Sequence, residues 1–174
     1  MHFVVHLAGF LTGTKIMVIP VLNPYTMPIS YESNLEKEEQ DVLNQIKKEL
    51  SLGSATDVVP LMASVLQALR QTLTLEHATL LLNKLPDFMK VVFASNWKKD
   101  EPRICINHLD EFVTLVMERD KKEKHLFKSE VQTLSVIILV LKKMYNLVDL
   151  RHFNGINPMF RQELDDASTE VAAA

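Results

Sequence analysis

The residues best suited to chemistry stand together in one short stretch, His108-Leu-Asp110-Glu111. Because residues three apart share one face of a helix, His108 and Glu111 could bind a metal ion or exchange a proton there. A metal site needs three or four converging ligands, and the sequence places no third one beside them. The helix dipole also stabilises acidic residues in a first turn, which explains Asp110 and Glu111 without a metal. We therefore expect no metal at this stretch.

A second pair, Glu76 and His77, is adjacent in the sequence. Neighbouring residues of a helix point about 100° apart, so they do not face each other as an acid and a base must. The chain also lacks the G-x-S-x-G, H-E-x-x-H, G-x-G-x-x-G and P-loop motifs. We expect no catalytic residue and no cofactor. The missing motifs disfavour an enzyme, and an acid/base or metal enzyme around His108 and Glu111 is the least supported hypothesis.

Composition restricts the class of partner. The chain of 174 residues has a formal net charge of −3, and its lysines lie in pairs between carboxylates rather than in one stripe. This charge pattern disfavours nucleic-acid binding, which requires a positively charged face. The single cysteine, Cys105, excludes an intramolecular disulfide and favours a reducing compartment. We expect a cytoplasmic protein.

Residues 1–32 are predicted to be an apolar N-terminal extension. Gly9, Gly13, Lys15 and Pro20 interrupt it, so no apolar run reaches the ~18 residues that a membrane-spanning helix requires. The basic start of a secretory signal is missing. We expect no stable membrane span, and we interpret the extension as a disordered tail or as a start codon assigned too early.

Helical periodicity dominates residues 33–165. Apolar side chains recur at i, i+3, i+4 and i+7, and each stretch starts at a residue that favours a helix N-terminus. These starts are Ser33, Asp57, Thr74, Pro86, Asn107, Ser129 and Asn157-Pro158. The polar segment 96–106 is predicted as a loop. The sequence therefore predicts an all-α, single-domain helical bundle of six to eight helices, with a frayed tail over residues 166–174.

The helical pattern also repeats within the chain. Sliding the sequence along itself until Asp57 meets Ser129 aligns segment 57–89 with segment 129–161 without a gap. The alignment superimposes a proline and a phenylalanine of each segment, Phe88 on Phe160 among them. The matching helix starts, prolines and apolar positions agree at several levels. We predict two tandem helical repeats that pack their apolar faces together in one bundle.

Several short motifs resemble those of a known family. They are Ala68-Leu-Arg70, Leu73-Thr-Leu-Glu-His-Ala78, Lys84-Leu-Pro86 and Asn96-Trp97. Together they resemble the A-L-R, L-T-x-E-x-A, Q-L-P and G-W series of a widespread bacterial family of small helical domains of unknown function, over about residues 40 to 165. The resemblance implies an all-helical fold in a bacterial cytosol, and it implies no activity. This chain has Lys84 where the family usually has Gln, and Asn96 where it usually has Gly.

Without a catalytic motif, the remaining candidates are contact surfaces. Trp97, flanked by Lys98, Lys99 and Arg103, is the single tryptophan and stands in a basic loop. Tryptophan and arginine are frequent anchors of protein interfaces, so these four residues form a possible interface; alternatively, Trp97 packs back to close the core. We hypothesise a non-enzymatic, cytosolic helical interaction module that forms a homo-oligomer or binds a protein partner as an adaptor.

The alternative function is a carrier of a small molecule or a lipid. Helical bundles bind such ligands between facing helices, and methionine and phenylalanine side chains could line a cavity between the two repeats. These residues are Met62, Phe88, Met89, Phe93, Phe112, Met117 and Met144. The same residues could instead fill the core, because methionine adapts to irregular gaps.

Overall fold

The computed structural model describes residues 37–54, 57–98, 101–123, 126–148 and 153–173. Within these ranges the chain forms seven α-helices and no strand, which confirms the predicted all-α fold. The helices are α1 (Lys37–Glu49), α2 (Val58–Thr72), α3 (Leu75–Lys84), α4 (Asp87–Ala94), α5 (Leu109–Glu123), α6 (Glu130–Leu147) and α7 (Pro158–Ala173). The predicted N-terminal extension lies outside the described residues. None of the helices in the described ranges is long and apolar enough to cross a membrane.

Several helices begin where local sequence chemistry predicts. The hydroxyl oxygen of Thr74 accepts a hydrogen bond from the His77 amide at 3.2 Å and caps α3. Pro86, which has no N–H to leave without a partner, immediately precedes α4. Ser129 caps α6 by accepting from the Gln132 amide at 3.2 Å. The proline at position 86 therefore separates two helices rather than interrupting one.

Two of the predicted caps differ in detail from the expected pattern. Gln132 completes the capping box by accepting a hydrogen bond from the Lys128 amide at 2.9 Å, one residue before the N-cap. Asp57 occupies the N-cap of α2, but its carboxylate accepts from the Ser54 amide at 3.2 Å and makes no hydrogen bond to the helix. Its side chain therefore fixes the turn that precedes α2.

Helix α2 lies at the centre of the bundle because it is apolar almost all round. Nearly all of its side chains are buried, and it packs against α1, α4, α5 and α6. A helix with apolar side chains on every face is stable only when other elements surround it. Helix α6 packs against α1, α2, α5 and α7, so α2 and α6 together form the middle of the core.

The two helices that follow a proline turn contribute phenylalanines to this core. Phe88 of α4 and Phe160 of α7 are both buried. The ring centroid of Phe160 lies 5.0 Å from that of Phe112 in α5, with the rings tilted by 48°. Aromatic pairs at this separation contribute about 0.5–1.5 kcal/mol beyond the burial of their area. The pair therefore helps to hold α7 on α5.

The placement of the helices agrees with the predicted repeat. The alignment of segment 57–89 with segment 129–161, continued towards both ends of the chain, places the start of α1 on the start of α5 and the start of α2 on the start of α6. It places the start of α4 next to the start of α7. The packing agrees as well, because the contacts of α2 with α1, α4 and α5 correspond to the contacts of α6 with α5, α7 and α1. Among the described helices, α3 alone lacks a counterpart. The internal repeat stays a prediction, and this placement extends it to α1 and α5.

Helix α7 is longer than the sequence pattern indicated. It continues to Ala173, through most of the segment that was assigned to a frayed tail. No glycine or further proline follows Pro158 to end the helix. Fraying of this end stays a prediction.

Cys105 is exposed. It lies in an extended segment between Ile104, which is half-buried, and Ile106, which is buried. Successive side chains of an extended segment point to opposite sides. Because the isoleucines take the inner side, the thiol faces solvent.

Replacing Gly155 with alanine should destabilise the protein by about 1–3 kcal/mol. A Cβ at this position would lie 2.7 Å from the ring of Phe153 and 2.9 Å from Cβ of His77, and neither is the free end of a flexible side chain. Chemical denaturation followed by circular dichroism measures the change. Gly53→Ala is the control, because a Cβ there meets nothing within 4 Å. Equal effects of the two substitutions would contradict the packing of α3 against residues 153–155.

Candidate functional site

Four polar side chains are buried in the largely apolar helix α2. The hydroxyls of Ser64 and Thr72 donate to carbonyl oxygens of their own helix, whereas the two longer side chains reach other elements. Gln67 is 0% exposed and Arg70 is 2% exposed. Arginine is rarely buried without a partner, because the removal of its charge from water costs several kcal/mol unless other groups compensate. The surroundings of Arg70 therefore determine whether this end of α2 is stable.

Glu101 supplies the opposite charge. Its Oε2 lies 3.0 Å from Nη2 of Arg70, and its Oε1 lies 3.4 Å from Nη1 of Arg119 in α5. Burial lowers the pKa of Arg70, and Glu101 opposes this shift through its charge and its hydrogen bond. One carboxylate is thus shared by two arginines, which joins α2 to α5 and leaves the group with a net positive charge.

Arg70 also binds the C-terminal end of α4. Its Nη1 donates to the carbonyl oxygen of Phe93 and, at 3.1 Å, to that of Ser95. The last carbonyl groups of a helix have no partner within the helix, and a cation there also opposes the negative end of the helix dipole. The guanidinium of α2 therefore terminates α4.

Two glutamines complete the network. Gln67 Nε2 donates to the Ser95 hydroxyl oxygen at 2.8 Å, and Gln67 Oε1 accepts from Arg119 Nε at 3.1 Å. Gln71 Oε1 accepts from Arg119 Nη1 at 3.3 Å. Within the described residues, Arg70 Nε is the one atom of this network that is buried without a hydrogen-bond partner. We call the group the polar cluster; its members are Gln67, Arg70, Gln71, Ser95, Glu101 and Arg119.

The tryptophan lies directly on this cluster. The chain turns at Asn96, whose φ of 54° is in the left-handed region that asparagine tolerates better than most residues other than glycine. Trp97 is then half-buried, with the guanidinium carbon of Arg70 5.2 Å from its ring centroid and the ring of Phe93 edge-on at 6.1 Å. The predicted alternative in which Trp97 packs back onto the core describes this position.

Hydrogen bonds fix the following loop to the C-terminal end of α2. Arg103 Nε donates to the Thr72 carbonyl oxygen at 3.0 Å, and the Ile104 amide donates to the Gln71 carbonyl oxygen at 2.9 Å. Both acceptors belong to the last turn of α2. The loop is therefore held by backbone and side-chain contacts in addition to the ion pairs of Glu101.

The outer side of this region is an exposed, mixed surface around the end of α2. We call it the α2-end surface; its members are Leu75, Trp97, Lys98, Arg103 and Ile104. Leu75, in the first turn of α3, is 72% exposed. Lys98 and Arg103 are also exposed, whereas Trp97 and Ile104 are half-buried. Lys99, the remaining residue of the predicted interface, lies outside the described residues.

The residues predicted to line a cavity all belong to the hydrophobic core or pack against it. Met62, Phe88, Met89, Phe93, Phe112 and Met144 are at most 3% exposed, and Met117 is half-buried. They lie on α2, α4, α5 and α6. The structure thus brings the seven side chains into one apolar interior, and a role in ligand binding stays a proposal.

His108 is paired with a residue that the sequence pattern did not indicate. Its Nδ1 lies 2.8 Å from Oε1 of Glu163 in α7, and the other oxygen of that carboxylate accepts from the Leu109 amide at 2.6 Å. Glu111, the predicted partner, instead accepts from the backbone amides of Asn107 and His108. The two carboxylates therefore satisfy the free amides at the start of α5.

The titration of these groups follows from the same contacts. The hydrogen bond to Glu163 raises the pKa of His108, and the reverse contact lowers the pKa of Glu163. The backbone hydrogen bonds from Asn107 and His108 lower the pKa of Glu111. In the part of the chain that the structure describes, no three His, Cys, Asp or Glu side chains are placed to hold a metal ion. These carboxylates act as helix-end partners.

The polar cluster was missed because its members are far apart in the sequence. Arg70 and Glu101 are separated by 31 residues, and Gln67 and Arg119 by 52. One local signal was present, namely polar residues inside an apolar helical stripe at Gln67 and Arg70. At the positions of α6 that align with these two, the chain carries Leu139, which is buried, and Lys142, which is exposed.

Replacing Glu101 with glutamine should lower the free energy of unfolding by about 2–4 kcal/mol, because it leaves the buried charge of Arg70 without an opposite charge. Urea denaturation measures the loss. Asp87→Asn is the matched control, since Asp87 and Lys90 form an exposed pair three residues apart on α4, and exposed pairs contribute about 0–1 kcal/mol. A loss of similar size in both variants would show that Glu101 is only a surface partner.

Comparison with known proteins places this arrangement within a family. The model of the family described as uncharacterized conserved protein (DUF2267) matches residues 39–154, which include the whole polar cluster and helices α2 to α6. No curated protein matches the chain. This match confirms the predicted resemblance to a conserved, uncharacterised family. Because the match covers well over half of its residues, the chain belongs to the DUF2267 family.

Proposed function

We propose that the chain is a non-enzymatic helical interaction module, which acts in the bacterial cytoplasm through protein contact at the α2-end surface. The observation that carries the proposal is the combination of an exposed leucine at the start of α3, Leu75, with a tryptophan and an arginine whose side chains contact the last turn of α2. Tryptophan and arginine are enriched among the residues that dominate binding energy at interfaces, and large apolar side chains supply the buried centre.

Preorganisation supports this surface over the other exposed apolar positions. The ring of Trp97 is fixed by Arg70 and Phe93, and Arg103 is fixed by Thr72. A side chain that is already ordered loses less conformational entropy on binding, a saving of about 0.5–1.5 kcal/mol for each flexible side chain. The ion pairs of Glu101 thus contribute to recognition by holding the surface in one shape.

The carrier of a small molecule or lipid is kept as the alternative. Its proposed lining, the seven methionine and phenylalanine side chains, is almost completely buried among other apolar residues. A ligand would have to separate these packed side chains, and such packing is dense in protein interiors. The exposed surface around Trp97 requires no such rearrangement, which is why protein contact has the stronger support.

Self-association at the α2-end surface should depend on Leu75. We expect the purified protein to form a dimer in size-exclusion chromatography with light scattering, and Leu75→Asp to shift it to the monomer, because a carboxylate would replace the apolar contact. Leu75→Met is the matched control, since it keeps an apolar side chain at the same exposed position.

If Leu75→Asp still forms a dimer, the two copies contact each other at another surface of the protein. A monomer at every concentration of the unmodified chain would remove self-association and leave adaptor binding as the form of the proposal. Circular dichroism of each variant should match that of the parent, because Leu75 is 72% exposed.

A further inference from the structure

Among the described residues around the end of α2, cationic side chains outnumber carboxylates. The polar cluster and the loop after Trp97 carry four cationic side chains, Arg70, Lys98, Arg103 and Arg119, against the carboxylate of Glu101. Glu76, in the first turn of α3, adds a second carboxylate. The region is therefore positive although the net charge of the protein is −3.

Glu101 does not neutralise the exposed cations, because its carboxylate pairs with two arginines inside the bundle. Both oxygens of the carboxylate face arginines from inside the bundle, at 3.0 Å and 3.4 Å. Glu101 therefore offsets the buried Arg70 and the half-buried Arg119 rather than Lys98 or Arg103 on the outside. The exposed cations remain beside the apolar side chain of Leu75.

We propose that the α2-end surface binds an acidic segment of a partner protein that also presents an apolar side chain to Leu75. This inference rests on the proposed function and adds the chemistry of the partner to it. Carboxylates of the partner pair with Lys98 and Arg103 at the rim, while its apolar residue covers Leu75 and the exposed part of Trp97. Complementary charge of this kind favours fast encounter and excludes basic partners.

A peptide fits this surface better than a nucleic acid does. Single-stranded nucleic acids bind largely by stacking their bases on free aromatic faces. The guanidinium of Arg70 lies over the ring of Trp97, and Phe93 meets the ring edge-on, so the tryptophan is not an open stacking platform. Leu75 is also an apolar contact that a phosphate backbone cannot use.

The single tryptophan of the chain reports directly on this surface. The probe is a synthetic oligo-glutamate peptide that contains leucines, titrated into the full chain while Trp97 fluorescence is followed. The matched peptide has glutamine in place of every glutamate, and inorganic phosphate and oligo-dT are titrated in parallel. We expect a saturable change with the acidic peptide only, and a loss of affinity when salt is raised.

Charge reversal at two exposed positions provides the decisive comparison. Lys98→Glu with Arg103→Glu should weaken peptide binding by about fivefold to thirtyfold, because each substitution replaces an attraction for the carboxylates of the peptide with a repulsion. Lys48→Glu with Lys142→Glu makes the same change of charge at exposed positions of α1 and α6. This control variant should bind like the parent.

The proposal is wrong if no titrant changes Trp97 fluorescence, if the glutamine peptide binds equally well, or if both double variants lose affinity alike. Tighter binding of oligo-dT than of the acidic peptide would assign the surface to nucleic acid, and equal saturation by inorganic phosphate would reduce it to a general anion site. A dimer that depends on Leu75 together with no peptide binding would overturn this inference and leave the proposed function intact. A monomer that binds no peptide would overturn this inference and would also remove self-association from the proposed function.

Discussion

A single buried charge sets the architecture of this end of the bundle. Arg70 lies in α2, which packs against α1, α4, α5 and α6. Its side chain is buried, so its guanidinium is shielded from bulk water. A charge in this position is tolerated only when an opposite charge and several acceptors are fixed around it. The opposite charge comes from Glu101, and carbonyl oxygens at the end of α4 accept hydrogen bonds from the guanidinium, which also contacts the face of Trp97. Arg70 thereby positions all three groups.

This constraint links the interior of the protein to its proposed contact surface. The carboxylate that compensates Arg70 comes from the same loop that carries Trp97, Lys98 and Arg103, so stabilising the core also fixes the orientation of the exposed side chains. A replacement of Arg70 and Glu101 by apolar residues could be as stable, as buried ion pairs often are no better than apolar packing. The ion pair of Arg70 and Glu101 instead specifies one conformation of the loop that carries Glu101.

The helices could be predicted from the sequence because their signals are local. Thr74, Pro86 and Ser129 start helices through bonds or backbone restrictions that involve residues within one turn. The polar cluster and the pairing of His108 with Glu163 could not be predicted in the same way, since the partners come from different helices and loops and lie 18 to 55 residues apart in the sequence. The sequence pattern offered only Glu111, on the same helix face, as an acid near His108, whereas the tertiary fold supplies one from α7. Trp97 packs against the core and stays half-buried, and its role as an interface anchor stays a prediction.

The ion pairs of Glu101 should hold the loop onto α2, and hydrogen exchange at the Ile104 amide measures whether they do. This amide donates to the Gln71 carbonyl oxygen at 2.9 Å in the segment that follows Glu101. In Glu101→Gln, measured by NMR under native conditions, protection of the Ile104 amide should fall far more than protection of the amides in α6, because the loop opens locally before the bundle unfolds. Equal protection of Ile104 in the parent and the variant would contradict the account, since the loop would then be held without its buried charges.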